Sequence, residues 1–206
     1  MATKKQQKPQ KQMKQKPKAK KTTKKSFFEV DAPLTSTKIH LYAPSKEDLN
    51  GKTVKLDLTK SLRGKSLELR LRVRLEKEKL QGKPENVKLT SSYVRRVVRK
   101  GTDYSEDSFE AECRDSLVKI KPLMVTRRRV SKAILKALRK TAKKHLTTHL
   151  KTRNAEEIFS EIISNKLQKN LAVKLKKIYP LALCEIRMFE IIGPLKEKPK
   201  EDPKEE

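Results

Sequence analysis

Between residues 65 and 80 the chain reads KSLELRLRVRLEKEKL, where Leu67, Leu69, Leu71, Val73 and Leu75 alternate with Glu68, Arg70, Arg72, Arg74 and Glu76. A period of two gathers alternate side chains on one face only in an extended chain. The stretch is therefore a strand with an apolar face for a core and a charged face for solvent or a partner. Shorter runs of the same kind occur in SFFEVDA, TKIHLYA, TVKLDLT and NVKLT. Pro33, Pro44, Asn50-Gly51, Gly64 and Gly82-Lys83-Pro84 punctuate them. SFEAEC and SLVKIKPLMV, on either side of Arg114-Asp115, predict a hairpin.

Helical spacing interrupts the strands once and then takes over. In SSYVRRVVRKG, Tyr93, Val94, Val97 and Val98 share one helix face and Arg95, Arg96, Arg99 and Lys100 the other; Ser91 or Ser92 can cap it and Gly101 can end it. From Arg127 onward, Val130, Ile134, Leu138, Ala142 and Leu146 recur every four residues. Arg128, Arg129, Lys132, Lys136, Arg139, Lys140, Lys143 and Lys144 fill the intervening positions, which predicts a long helix with a basic outer surface. Asn154 followed by Glu157 signals the next helix, whose buried stripe is Ile158, Phe159, Ile162 and Ile163. Asn165 breaks it before Leu167, Leu171 and Leu175, Pro180 ends the helical region, and LALCEIRMFEII is a final strand. The expected class is α+β: a strand-rich part at 26–125 with a short inserted helix, a helical part at 127–179, and a strand at 181–192.

Charge changes what this pattern means. The chain has 206 residues, with 53 Lys and Arg against 25 Asp and Glu, a net +28. Residues 1–25 hold eleven lysines and no acid; residues 195–206 hold four lysines and five acids. Setting aside those eleven charges and the tail's net −1 leaves +18 on residues 26–194. The body itself is thus cationic and calls for a polyanion. Neither end has aliphatic residues that could anchor a core. We expect both to be disordered, the first until an anionic partner orders it, with Lys20, Lys21, Lys24 and Lys25 as its RNA contacts nearest the body. No run approaches the roughly 18 apolar residues of a membrane span, and the lysine-glutamine start has no apolar signal region, so a soluble cytoplasmic protein is expected. Cys113 and Cys184 sit in apolar runs and read as buried thiols, not a disulfide.

The candidates for catalysis fail on their spacing. Asn50-Gly51-Lys52-Thr53 and Arg63-Gly64-Lys65-Ser66 end like phosphate loops, but Lys46 and Thr59 stand where the first glycine is needed. They are turn glycines ahead of strands. His145 and His149 are one helical turn apart, yet Leu146 replaces a zinc hydrolase's glutamate, no third ligand is indicated and the surrounding lysines repel a cation. Glu156-Glu157 suits a helix N-terminus. No enzyme activity, metal or cofactor is expected. The basic helix could also suit a membrane or a calmodulin-like partner, but its stripe of Val, Ala and few leucines is fitted to a protein core. RNA is favoured over DNA because no DNA-reading motif occurs. With no Trp, five Phe and four Tyr, backbone and shape recognition is expected to exceed base readout.

The set LTSSYVRRVVRKGT, MVTRRRVSKAILKAL and KKIYPLALCEIRMFEII, with SFFEVDAP after a basic tail, resembles the archaeal and eukaryotic small-subunit ribosomal protein family S-one-e, also called S-three-a-e. Element order agrees from about residue 26 to 193. The family's opening strand commonly begins with a Trp-aromatic pair, here Phe27-Phe28, and the long acidic extension of eukaryotic members is missing, so the archaeal type is expected. The resemblance implies a β-barrel-like antiparallel body flanked by helices, in one copy on the platform of the small subunit. There it would touch ribosomal RNA near its 3′ end, neighbouring platform proteins and messenger RNA near the exit. Arg70, Arg72 and Arg74 then form a row for phosphates. The competing function is a free RNA chaperone or translation regulator acting off the ribosome.

Overall fold

The computed structural model describes residues 24–195 apart from Ser36, Arg63 and Glu78. The predicted tails lie outside it except for Lys24, Lys25 and Leu195, and so do Lys20 and Lys21. The alternation that opens the sequence is realised in strand Leu67–Glu76 (β4, counting from the N-terminus). Leu67, Leu69, Leu71 and Val73 are buried and Glu68, Arg70, Arg72 and Arg74 exposed. Three shorter strands precede it, Ser26–Ala32 (β1), Thr37–Ala43 (β2) and Thr53–Asp57 (β3). Strand Lys79–Leu89 (β5), helix Ser91–Val97 (α1) and strands Tyr104–Glu106 (β6), Phe109–Glu112 (β7) and Ser116–Thr126 (β8) follow. Helices Lys132–Lys151 (α2), Ala155–Ile163 (α3) and Lys166–Lys176 (α4) lead to strand Leu181–Pro194 (β9). The class is α+β, as expected.

The nine described strands form one open sheet, antiparallel except where β1 runs parallel to β5. Strand β5 is its hub. One edge pairs with β4 along its whole length, and the other is divided between β1, at Leu80 and Gln81, and β9, at residues 86–88. Beyond β9 lies β8, whose far edge is shared by β6 and β7. One sheet face packs on the helices: Leu67, Leu69, Val87, Ile120 and Phe189 belong to the same buried cluster as Leu138, Leu146, Phe159, Ile162, Leu171 and Leu175. Phe159 meets Phe189 edge to face at 4.8 Å. A smaller cluster of Val30, Ala43, Leu49, Val73 and Leu80 fixes the β1–β2 hairpin.

Several boundaries differ from the sequence expectation. Gly82-Lys83-Pro84 does not interrupt the chain but lies within β5. Glycine eases the close approach there, since a Cβ on Gly82 would stand 3.1 Å from Leu71 Cδ1 and press on that side chain, and a bulge between Arg70 and Leu71 accommodates the proline. Helix α1 ends at Val97, so Arg99 and Lys100 occupy the turn before Gly101, which has φ +85°. Helix α2 starts at Lys132, not Arg127. Asp103 holds residues 126–130 in a non-helical bend: it accepts from the Thr126 N–H through its carbonyl (2.8 Å) and from the Val130 N–H through Oδ2 (2.8 Å). Asn154 is at the N-cap of α3, but its side chain makes no capping bond. Asp115 Oδ1, from the β7–β8 turn, accepts from the Ala155 N–H instead, at 3.0 Å.

A buried polar cluster ties the two halves of the fold together. Lys65 Nζ lies 2.5 Å from Glu185 Oε2 in β9 and 2.6 Å from Asn165 Oδ1, with Lys65 and Glu185 each only 8% exposed. Asn165, at φ +60°, occupies the left-handed conformation between α3 and α4 that asparagine tolerates better than most residues. Cys113 and Cys184 are free and buried, and burial, reinforced by Asp115 and Glu185 respectively, pushes both thiols up to about 12. Only thiolate attacks an alkylating reagent. We therefore expect neither cysteine of the folded chain to react with iodoacetamide at neutral pH over a time in which urea-unfolded chain reacts fully. Modification at equal rates in both states would contradict this.

Candidate nucleic-acid interface

The predicted basic residues that the structure describes are all exposed, but they fall on two sides of the sheet. On the helix side, α2 buries Leu138, Ala142, Leu146 and Leu150 and turns Lys132, Lys136, Arg139, Lys140, Lys143 and Lys144 outward. The helix contains no acid, and among the described residues none of these six cations has an ion pair. Lys143 does lie over the ring of Phe109, at 5.4 Å. From Lys132 to Lys144 the row runs for about 18 Å at 1.5 Å per residue. Arg127, Arg128 and Arg129 precede it on the bent segment held by Asp103. The same aspartate follows the turn carrying Arg99 and Lys100, so the structure brings these two cationic segments to one clamp. Arg95 and Arg96 are on the adjoining α1, where Arg96 donates to the Gly64 carbonyl (3.0 Å) and covers the Tyr93 ring.

The opposite, outer face of the sheet carries the arginine row of β4. Its spacing is about 7 Å, two residues of strand. Pairing sets Lys55 beside Arg70, Lys83 beside Arg72 and Lys88 beside Glu68. Arg72 is bound by Glu85 at 2.9 Å, and Lys83 holds Glu76 at 2.5 Å. The hydrogen bond and charge of that lysine lower the Glu76 pKa below its ordinary value. Arg70 and Arg74 have no ion pair among the described residues. A cleft of about 110 Å³ opens between Lys55, Glu68, Arg70 and Lys88, with the buried Asn86 beneath it. Sequence reading missed Lys55, Lys83 and Lys88, although their polar phase in TVKLDLT and NVKLT would have revealed the first and third.

His145 and His149 border a cleft of about 440 Å³ with Thr141, Lys144, Thr148 and Lys174. Their rings are 6.2 Å apart, and His149 Nε2 is 3.5 Å from Glu161 Oε2. Glu161 is also paired with Arg153. No three His, Cys, Asp or Glu side chains converge as a metal site among the described residues. Burial lowers both imidazole pKa values, with Lys174 and His149 adding to it at His145; at His149 Glu161 opposes the shift, and Arg153 and Lys174 add to it. The unfolded chain then binds protons that the folded chain does not, so stability falls as pH drops below about 6.5, the ordinary histidine value. His145→Gln/His149→Gln is expected to flatten that fall, as urea midpoints between pH 7 and 5 would show. An unchanged slope would mean that other groups cause the loss.

A family model described as the Ribosomal S3Ae family matches residues 13–194. Three relatives, each named small ribosomal subunit protein eS1, come from archaea. The Nanoarchaeum equitans protein is 26% identical over 106 residues, 51% of this chain and 54% of its own. The Pyrobaculum aerophilum protein is 26% identical over 138 residues, 66% of this chain and 62% of its own. The Methanothermobacter thermautotrophicus protein is 31% identical over 99 residues, 48% of this chain and 51% of its own. The chain thus spans about half to three-fifths of the length of these relatives.

Proposed function

The chain belongs to the Ribosomal S3Ae family, and from that membership we propose that it is a structural constituent of the small ribosomal subunit, of the archaeal type, that binds ribosomal RNA. The observation that carries this reading is the acid-free outer face of α2, whose exposed cations find no carboxylate among the described residues. Such a row follows a phosphate backbone without reading bases, the arginines as bidentate forks and the lysines as point charges. The Asp103 clamp extends it by Arg127, Arg128, Arg129, Arg99 and Lys100. The arginine row of β4 faces the other way and suits a second RNA segment or a neighbouring protein. Its partial neutralisation by Glu85 makes it the weaker phosphate site.

The protein acts in the cytoplasm as part of the ribosome, in one copy per subunit and without catalysis. Its seat on the platform, beside other platform proteins and near the messenger exit, accords with the resemblance in the sequence. Co-sedimentation provides the test. Full-length protein mixed with small subunits lacking it should travel with them nearly quantitatively and stay bound through a second gradient. Dissociation once the RNA is folded would instead identify a free RNA chaperone.

A further inference from the structure

The most exposed large apolar side chain among the described residues is Phe27, at 73%. Its register partner across the β1–β2 hairpin is Tyr42, itself 58% exposed. The rings are 4.9 Å apart and inclined at 44°, and Lys25 Nζ sits 5.7 Å from the centre of the tyrosine ring. Antiparallel pairing fixes this arrangement: Phe28, Val30, Ile39 and Leu41 point to the core side of the hairpin, so Phe27 and Tyr42 must stand on the outer one. Two aromatic rings held in water on a rigid hairpin are costly unless something covers them.

Charge identifies the cover. Next to the pair, Glu29 is taken up by Lys38 at 3.2 Å; Lys24 and Lys25 lead into β1 beside the rings, while the acids at this end, Glu47 and Asp48, lie beyond β2 in a short 3-10 turn. The chain before them adds nine more lysines and no acid. A partner must therefore combine a flat apolar surface with negative charge. A nucleotide has both, and its base is available for stacking only where the strand is unpaired. We propose that Phe27 and Tyr42 form a stacking platform for an unpaired nucleotide of RNA, with Lys24 and Lys25 binding its phosphates. This rests on the RNA-binding reading and adds a single-strand contact to the backbone and shape recognition expected from the sequence.

The test compares a short single-stranded oligoadenylate with an RNA duplex of equal length, both bound by the full chain. Phe27→Ala/Tyr42→Ala is expected to weaken single-strand binding about tenfold, the usual effect of losing one stacked base. Duplex affinity and both salt slopes should be unchanged, because stacking releases no counterions. Since the chain has no Trp, Phe27→Trp creates a sole indole whose emission the single strand should quench and the duplex should not. Equal losses on both RNAs, or no loss and no quenching, would overturn the platform and leave the pair as the seat of a protein neighbour. If the unsubstituted chain bound neither RNA, the broader proposal would fail as well, so the two failures are distinguishable.

Discussion

Lys65→Met is expected to destabilise the folded chain by about 3–5 kcal/mol, because it strands the Glu185 carboxylate in the interior without its partner. Asn165 Oδ1 loses its donor in the same substitution, and the cost of an unmade buried hydrogen bond falls within that range. Lys65→Met/Glu185→Leu removes both charges and retains most of the buried volume. It is expected to lie much nearer the unsubstituted protein, since an apolar pair can replace a buried ion pair with little net loss. Urea unfolding midpoints of the three proteins at one pH would show the pattern. A single substitution costing less than about 1 kcal/mol would mean that water reaches Glu185 and that the cluster does not hold β9 to the start of β4.

The second large effect is on RNA affinity. Changing Arg127, Arg128 and Arg129 together to glutamine should leave the fold intact. The bonds that hold this segment run from Thr126 and Val130 to Asp103 and use no guanidinium. Every phosphate left without its arginine should reduce the log-log salt slope by about 0.7–0.9, so three of them remove roughly 2–3 from it. Affinity for small-subunit RNA should fall most at low salt. An unchanged slope and affinity would turn this segment toward solvent or protein. Phosphate recognition would then rest chiefly with α2, and the same measurement on Lys136→Gln/Arg139→Gln/Lys140→Gln would test that.

The elements legible in the sequence are those whose reason is local. Alternation in Leu67–Glu76, the hairpin about Arg114-Asp115 and the break at Asn165 need only side-chain periodicity and backbone preference, and each occurs where expected. The continuation of β5 through Pro84 was illegible because it depends on a bulge and on Leu71 from the neighbouring strand. The start of α2 was misread because Val130 keeps the helical period while Asp103, 27 residues earlier, takes up its amide outside the helix. Nor does any window of sequence join Lys65 to Glu185, 120 positions apart. Of the candidate interface, the identity of the cations was readable. Their division between two sides of the sheet followed only from the burial of the leucine face of β4 against the helices.

The central position of β9 has a consequence for the order of events during synthesis. The strand groups β1–β5 and β6–β8 share no hydrogen-bonded edge except through this last described strand. A ribosome making the chain will therefore have released both groups, each with an open edge, before the strand that joins them emerges. Such edges template pairing with other chains, and pairings distant in sequence form slowly. The nascent protein thus passes through a stage in which its lysines and arginines are already displayed while its sheet is unfinished. RNA or a chaperone that shields those edges until Pro194 has cleared the exit tunnel would raise the yield of folded chain without adding a single native contact.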